Sequence, residues 1–182
     1  TKLEVYGLKM PEIEPGVDLA KLIVKAANSD NIEIADGDVI VVTSKVYLKS
    51  KGLIFDLSKI KPSRTAKILS KITGKDPVEI ELILRASRKV VAIVEMKGLN
   101  TELLEKVSED PAEARKLLDK IPCLFITITN YGLIGLDAGV DFSNLPPGYA
   151  IANIVDFDEA AKEIRDGIER ITGKRVAVVI SD

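Results

Sequence analysis

The sequence has 182 residues, of which 46% are hydrophobic and 30% charged, as is typical of a globular protein with a sizeable core. The 26 basic and 28 acidic residues give a formal net charge of −2, which argues against a nucleic-acid-binding protein because no strong positive field is present. The absence of histidine excludes Ser-His-Asp triads, His-ligated zinc and imidazole acid–base catalysis. Any chemistry must use carboxylates, lysines, hydroxyls, backbone amides or a bound hard cation.

The cellular setting is indicated by three features of the composition. Cys123 is the only cysteine, so no intrachain disulfide can form, and we expect a reducing cytoplasm. No apolar stretch approaches the ~20 residues that a membrane-spanning helix needs, so we expect no membrane association. Many Ile, Lys and Glu residues and no Gln resemble the composition of proteins from very hot environments. We therefore expect a cytoplasmic protein of thermophilic-like composition.

The first half of the chain alternates predicted strands and helices. Alternating residues predict a strand at Lys2–Tyr6, and apolar spacing predicts a helix from an Asp18 cap to about Ala27. Val39–Val42 is apolar on both faces, which is typical of a buried central strand. The remaining predicted elements are a strand at Gly52–Leu57, helices at Ser63–Ile72 and Pro77–Arg88, and a buried strand at Val90–Val94.

The second half predicts helices around a strand hairpin. The predicted elements are helices at Thr101–Val107 and Pro111–Asp119, strands at Ile121–Thr129 and Leu133–Leu136, a loop at Asp137–Gly148, a helix at Asp158–Ile171 and a buried strand at Val176–Ile180. Helices and strands alternate, but several strands are adjacent in sequence. We therefore predict a mixed α/β (α+β) fold with a partly antiparallel sheet and packed helices. No repeat or linker divides the chain, which predicts one domain over residues 1–182.

Polar residues that follow a predicted buried strand form the first candidate site. Thr43-Ser44-Lys45 ends the strand, and Lys49 follows four residues later. Ligands of α/β proteins collect at the carboxyl ends of strands, where hydroxyl and ammonium groups can hold phosphate oxygens. The same residues also suit a strand that simply leaves the core, and both interpretations stay open. Neither a G-x-x-x-x-G-K-[ST] phosphate loop nor a G-x-G-x-x-G motif is present.

Oxygen-bearing side chains form a second candidate site. Asp137-Ala-Gly-Val-Asp-Phe-Ser-Asn144 surrounds a glycine and could supply hard oxygen ligands to Mg²⁺ or Mn²⁺, although the same residues are common turn formers. Asp182 follows the predicted strand Val176–Ile180, where a carboxylate often holds a metal. As the last residue of the sequence, it also suits a solvated terminus.

Five segments in order resemble the coenzyme F420-0:L-glutamate ligase family, also called the F420-0:γ-glutamyl ligase family. They are Met10–Ile13, Asp36–Val46 with Lys49 and Gly52, Pro62–Lys67, Asp137–Asn144, and Ile171–Val176 through Asp182. In that family, Thr usually stands at the position of Lys45 and Asn at the position of Asp137. Residues 97–120 resemble a helical insertion, and family members continue past the match to Asp182, so we expect the family's C-terminal half to be absent from this chain.

The resemblance implies an activity and its small molecules. In the family, GTP activates a carboxylate of the F420-0 precursor as an acyl phosphate, and the amine of L-glutamate then forms an amide. Mg²⁺ or Mn²⁺ bridges the phosphates. The resemblance also implies a homodimer, with GTP, L-glutamate and F420-0 as small-molecule partners and with no nucleic acid or membrane partner.

The resemblance assigns roles to individual residues of this sequence and leaves the catalytic residue unknown. The implied nucleotide contacts are Met10, Pro11, Glu12, Ile13, Ser44, Lys45, Lys49 and Asn144, and the implied metal ligands are Asp141 and Asp182. Two alternatives stay open. One is a related ligase that joins another acid and amine, and the other is a non-catalytic module that binds a nucleotide or a partner.

Overall fold

We describe the protein from a computed structural model of the chain. It describes residues 2–96, 106, 108–118 and 120–181. The helix expected at Thr101–Val107, apart from Lys106, and the expected metal ligand Asp182 lie outside these ranges. The chain divides into two compact units, which are described separately: Thr1–Ile54 with Val155–Asp182, and Phe55–Ile154. The single domain and the insertion at 97–120 stay predictions.

The elements mix helices with parallel and antiparallel strands. In chain order they are α1 (Leu19–Ser29), β1 (Val39–Thr43), α2 (Ser44–Ser50), β2 (Phe55–Asp56), α3 (Arg64–Thr73), α4 (Pro77–Ala86), β3 (Ser87–Glu95), α5 (Pro111–Leu118), β4 (Cys123–Thr129), β5 (Ile134–Leu136), β6 (Tyr149–Ala150), α6 (Phe157–Thr172) and β7 (Ala177–Ser181), with 3₁₀ turns at Leu57–Lys59 and Asp137–Gly139. The predicted mixed α/β fold is confirmed.

Two helices form the centre of the first unit. The apolar face of α1 packs on α6, where Ile23 of α1 and Ile164 and Ile168 of α6 are buried. The helices approach most closely at Gly167, because a Cβ atom there would lie 2.5 Å from the Cβ of Ala20. Glycine at 167 therefore sets the separation of the two helices.

The sheet of the first unit is a parallel pair, β1 with β7. The strands run in register from Val39 opposite Ala177 to Thr43 opposite Ser181. The expectation that both strands are buried on both faces is wrong, because Val39, Val41 and Val179 are exposed while Val42 is buried. An apolar run indicates that a strand can be buried, but it is buried only where another layer of the structure covers it.

The second unit packs helices against an antiparallel sheet. The order of its three-stranded sheet is β3-β4-β5, and β2 pairs with β6 in a separate antiparallel ladder. Strand β4 alternates buried and half-buried residues, and its buried residue Phe125 packs in one core with Ile80 and Ile83 of α4. The predicted hairpin is confirmed as β4 and β5.

Several element boundaries differ from the sequence predictions. Lys2–Tyr6 lies outside any strand, because alternation alone does not supply a neighbouring strand for pairing. The strand predicted at Gly52–Leu57 is reduced to Phe55–Asp56. Helix α4 ends at Ala86, since the β-branched run beyond it joins β3, whose residues are largely exposed rather than buried. Among the described residues, no helix is long and apolar enough to cross a membrane.

Candidate functional site

The first group of site residues lies at the carboxyl end of β1. Helix α2 starts directly after the strand, and Thr43 caps it by accepting a hydrogen bond from the Val46 N–H at 3.4 Å. Ser44 is buried and Lys45 half-buried. Because β7 is parallel to β1, its last described residue, Ser181, lies beside Thr43. The carboxyl ends of both strands therefore meet at one edge, as expected for a ligand site in an α/β fold.

An ion pair joins two of the predicted nucleotide contacts. The Lys49 ammonium contacts the Glu12 carboxylate, linking α2 to the segment that precedes α1. The side chain of Lys49 is 13% exposed and that of Glu12 is 79% exposed. A phosphate group that approached from solvent could replace the exposed carboxylate and take over the ammonium. This pair brings together residues that lie far apart in the sequence.

The segment Met10–Ile13 has a structural role besides its predicted contact role. Ile13 is 7% exposed and belongs to the core of the first unit, and Met10 packs partly against that core. Pro11 and Glu12 between them are exposed. The two buried anchors therefore hold the exposed pair in a defined position, although the backbone here is neither helix nor strand.

A second polar network in the first unit lies outside the predicted site. The Tyr47 hydroxyl donates to Glu163 Oε2 at 2.8 Å, and Lys51 Nζ lies 2.5 Å from Glu163 Oε1. Burial and the bond to Glu163 raise the pKa of Tyr47. Burial opposes ionisation of Glu163, but Lys51 and Tyr47 outweigh it and lower the pKa of that carboxyl. These residues line an open cavity of about 300 Å³ together with Arg170.

The second unit carries the predicted metal ligand after an unusual turn. Asp137, Ala138 and Gly139 have φ values of +49°, +52° and +67°. The backbone N–H of Ala138 donates to Thr127 Oγ1 at 3.0 Å, and the N–H of Asn153 donates to the Ala138 carbonyl at 2.9 Å. A Cβ on Gly139 would lie 2.2 Å from the Asn153 side chain, so this position requires glycine.

Asp141 follows this turn and is held by its backbone and its side chain. Its N–H and carbonyl pair with Ile151 in an antiparallel bridge, with N···O distances of 3.1 and 3.0 Å. Its carboxylate accepts the N–H of Ser143 at 2.7 Å and the hydroxyl of Ser143 at 3.0 Å. Asn144 is exposed and has a φ of +55°. Carboxylate oxygens are the ligand type that hard cations such as Mg²⁺ and Mn²⁺ prefer.

The metal ligand set is only partly described. Among residues 2–96, 106, 108–118 and 120–181, no three His, Cys, Asp or Glu side chains converge as a metal site would require. Of the two predicted metal ligands, Asp141 is described and Asp182 lies outside these ranges. Met10–Ile13, Ser44, Lys45 and Lys49 belong to the first unit, whereas Asp141 and Asn144 belong to the second. The site residues stay predictions.

A buried lysine beside the turn was not predicted from the sequence. Lys75 is 4% exposed, and its ammonium lies 2.6 Å from Asp137 and 3.0 Å from Glu79. Burial disfavours the ammonium, but the two carboxylates outweigh it and raise the pKa of Lys75. Burial also raises the pKa of Glu79, more than Lys75 lowers it. A lysine between two helices normally faces solvent, so the sequence offers no signal for this cluster.

Comparison with known proteins identifies the family. Residues 7–182 match the family described as F420-0:Gamma-glutamyl ligase. The chain is 34% identical over 183 residues to the coenzyme F420:L-glutamate ligase of Methanocaldococcus jannaschii, covering 100% of this chain and 60% of that protein. It is 33% identical over 171 residues to the protein of the same name from Methanopyrus kandleri, covering 94% of this chain and 55% of that protein.

A third relative gives the same result. The coenzyme F420:L-glutamate ligase of Archaeoglobus fulgidus is 31% identical over 182 residues, covering 100% of this chain and 60% of that protein. The chain therefore spans 55% to 60% of the length of these three relatives. The family match over residues 7–182 and these relatives show that the chain belongs to the F420-0:γ-glutamyl ligase family, and its mixed α/β architecture agrees with that assignment.

Proposed function

We propose that this protein acts as an amide-forming ligase that joins L-glutamate to the coenzyme F420 precursor F420-0, with GTP as co-substrate and Mg²⁺ or Mn²⁺ as cofactor. The observation that carries the proposal is the family match over residues 7–182, together with relatives named coenzyme F420:L-glutamate ligase. A cytoplasmic setting is part of the proposal and is supported by the single cysteine, which is buried.

The proposed reaction has two steps. A carboxylate oxygen of F420-0 attacks the γ-phosphorus of GTP, the bond from that phosphorus to the bridging oxygen breaks, and GDP leaves. The amine nitrogen of L-glutamate then attacks the acyl carbon, and inorganic phosphate leaves as the amide forms and the nitrogen gives up a proton. A bound divalent cation would neutralise charge on the phosphates. Neither step requires a histidine.

The described residues support the handling of phosphate groups in the first unit. In this proposal, Ser44 and Lys45 supply hydroxyl and ammonium donors at the end of β1. Lys49 exchanges its exposed partner Glu12 for a phosphate oxygen, which a nearly buried ammonium binds more strongly than an exposed one does. Asp141 and Asp182 would hold the cation through carboxylate oxygens. Asn144 contributes a further contact to the nucleotide.

The test is a titration of the intact protein with GTP and Mn²⁺ by calorimetry. Lys49→Met should weaken GTP binding by about tenfold or more, because one ammonium contact to phosphate is lost. The matched control is Lys51→Met, since Lys51 pairs with Glu163 and not with Glu12. Absence of GTP binding, or equal affinity in both variants and the wild type, would refute the nucleotide assignment.

A related ligase for another acid and amine is separated from this proposal by product analysis. The intact protein is incubated with GTP, Mn²⁺, F420-0 and L-glutamate, and the product is identified by mass spectrometry. Only the proposed activity adds a glutamyl group to F420-0. GTP binding without that product favours a different acid or amine, and neither binding nor product favours a non-catalytic module.

We also propose a homodimer, supported by one apolar face of the three-stranded sheet. Residues that pair directly across antiparallel strands point to the same face. Such pairs join Val94 to Leu124, Ile126 to Leu136, and Ile128 to Ile134. Ile134 is 76% exposed and Leu136 is 55% exposed. These six residues, called here the outer sheet face, form an apolar patch of the kind that marks interaction surfaces, and Ala92 and Lys89 border it on β3.

A further inference from the structure

We infer that Lys75 is a positioning residue for the turn at Asp137–Gly139, and that it acts through the buried carboxylate of Asp137. The turn leads directly into Asp141. Lys75, although far from Asp141 in the sequence, would therefore fix the direction in which the chain leaves the turn toward Asp141. The consequence for metal binding rests on the proposed function, in which Asp141 is a metal ligand. The effect on the turn itself does not depend on that proposal.

Every N–H donor of the Lys75 ammonium has a partner. The ammonium carries three protons, and three acceptors surround it. They are Asp137 Oδ2 at 2.6 Å, Glu79 Oε1 at 3.0 Å and the Cys123 carbonyl oxygen at 3.2 Å. Lysine is almost never this deeply buried unless it is paired. The position of the ammonium is therefore set by elements on three sides.

Asp137 in turn links the Lys75 ammonium to the backbone of strand β4. One oxygen faces Lys75, and the other, Oδ1, accepts the Phe125 N–H at 2.8 Å. The carboxylate therefore connects the link between α3 and α4 to strand β4. With both oxygens engaged, the side chain of Asp137 has one well-defined orientation, and its backbone must follow.

The turn at Asp137–Gly139 has a backbone conformation that needs support from its surroundings. Asp137 and Ala138 are not glycines, yet both have left-handed φ values, of +49° and +52°. Residues with a Cβ keep such a conformation only where their surroundings hold it. The contacts of Ala138 with Thr127 and Asn153 hold the backbone, and the Lys75–Asp137 pair holds the side chain.

Removal of Lys75 should therefore release the turn. The Asp137 carboxylate would be left in a buried position without its cation, which is unfavourable. Rotation of the carboxylate toward water would cost the Phe125 hydrogen bond, and the left-handed backbone would lose one of its constraints. A lysine that served stability alone would affect the whole unit evenly and would not single out this turn.

The experiment is hydrogen exchange by mass spectrometry on the intact protein. Lys75→Met should increase amide exchange in a peptide spanning 137–144 by about tenfold or more, while a peptide from β3 changes by less than about threefold. Lys71→Met, on the exposed face of α3, is the matched control and should change neither peptide. Exchange in 137–144 that stays within about twofold of the wild type overturns the inference.

Two further variants separate positioning from loss of folding. In Lys75→Met/Asp137→Asn, the Asp137 charge is removed together with its cation, the Glu79 carboxylate is 22% exposed and keeps contact with water, and the amide oxygen can still accept the Phe125 N–H, so exchange should return to within about threefold of the wild type. Failure of the double variant to recover exchange counts against positioning through Asp137. If Lys75→Met does not fold, Asp137→Ala replaces it, since it cuts the same link, and unchanged exchange in this variant overturns the inference.

Manganese affinity provides the readout at the site. In the same variants, Lys75→Met should weaken Mn²⁺ binding by about tenfold, and the double variant should restore it, because the position of Asp141 recovers with the turn. If the wild type binds no Mn²⁺, the metal proposal fails while the exchange data still decide the role of Lys75. If the wild type and Lys75→Met bind Mn²⁺ equally, the positioning inference is wrong.

Discussion

Glu81 shows how a single buried carboxylate makes stability depend on pH. It is 8% exposed, its Oε2 accepts the Ser63 N–H at 2.8 Å, and its Oε1 lies 2.8 Å from Arg85 Nε. Burial opposes ionisation, but the hydrogen bond from Ser63 and the guanidinium of Arg85 outweigh it and lower the pKa of Glu81. A lowered pKa means that the folded state favours the ionised form.

Replacement of Glu81 should reveal this contribution. The stabilisation of the folded state by ionised Glu81 is fully present above the ordinary glutamate pKa of about 4.3. It is lost as the pH falls through the lowered pKa of Glu81. Glu81→Gln should lower the free energy of unfolding by roughly 2 kcal/mol at pH 7, as expected for a hydrogen bond to a charged group, and by much less at pH 3. Urea denaturation across this pH range measures the difference.

The control for this prediction is an exposed carboxylate. Glu33→Gln should change the free energy of unfolding by less than about 0.5 kcal/mol at either pH, since exposed substitutions seldom do more. If Glu81→Gln destabilised the protein equally at pH 3 and pH 7, the loss would come from altered packing rather than from the ionised carboxylate.

The sequence indicates which residues belong to a site better than it indicates which residues contact each other. Lys49 and Glu12 were both predicted as site residues, and the structure brings them together. Lys75 was not predicted, because its importance depends on a contact with Asp137, which lies 62 residues away in sequence. Such contacts leave no periodic signal in the chain.

Among the elements, α6 depends on a cap that the sequence prediction missed. The prediction started the helix at Asp158, but the cap is Asp156, whose Oδ1 accepts the N–H groups of Asp158 and Glu159 at 3.0 and 3.3 Å. Asp156→Ala should lower the free energy of unfolding by about 1 kcal/mol, since two N–H groups lose their acceptor. Thermal or urea unfolding measures the change.

Asp158→Ala is the matched comparison for this cap. It removes a carboxylate from the same first turn, so it weakens the favourable interaction with the helix dipole, but it leaves the cap bonds in place. Asp158→Ala should therefore lower the free energy of unfolding by less, about 0.5 kcal/mol or below. A larger loss in Asp158→Ala than in Asp156→Ala would mean that the helix starts where the sequence pattern predicted it.

Helices were easier to predict than strand environments, for a physical reason. Caps such as Asp76 and Ser63 act within one turn, so the starts of α3 and α4 can be read locally. The burial of β1, β3 and β7 was predicted wrongly because an apolar strand is buried only if another layer covers it. That layer is not encoded in the strand's own residues.

For the whole molecule, the outer sheet face makes the homodimer testable. When a second surface covers water-exposed apolar side chains on a paired sheet, their burial stabilises the complex by about 25 cal/mol per Å² of apolar area. The apolar residues of this face lie next to each other along β4 and β5, and on β3 the face continues through Val94 and Ala92 to Lys89, which adds one charge at its edge. A contiguous area of this kind supports a stable interface better than isolated exposed residues do.

A charge placed on this face should therefore dissociate the dimer without unfolding the chain. Ile134→Lys adds an ammonium that is solvated in the monomer but would be buried without a partner in the interface, so the dissociation constant should rise by about a hundredfold or more. Sedimentation velocity of the intact protein measures it. Ile72→Lys is the matched control, because Ile72 is 74% exposed but lies on α3, away from the outer sheet face. A wild type that stays monomeric at every concentration, or an Ile134→Lys protein that dimerises as the wild type does, would contradict the assignment of this face.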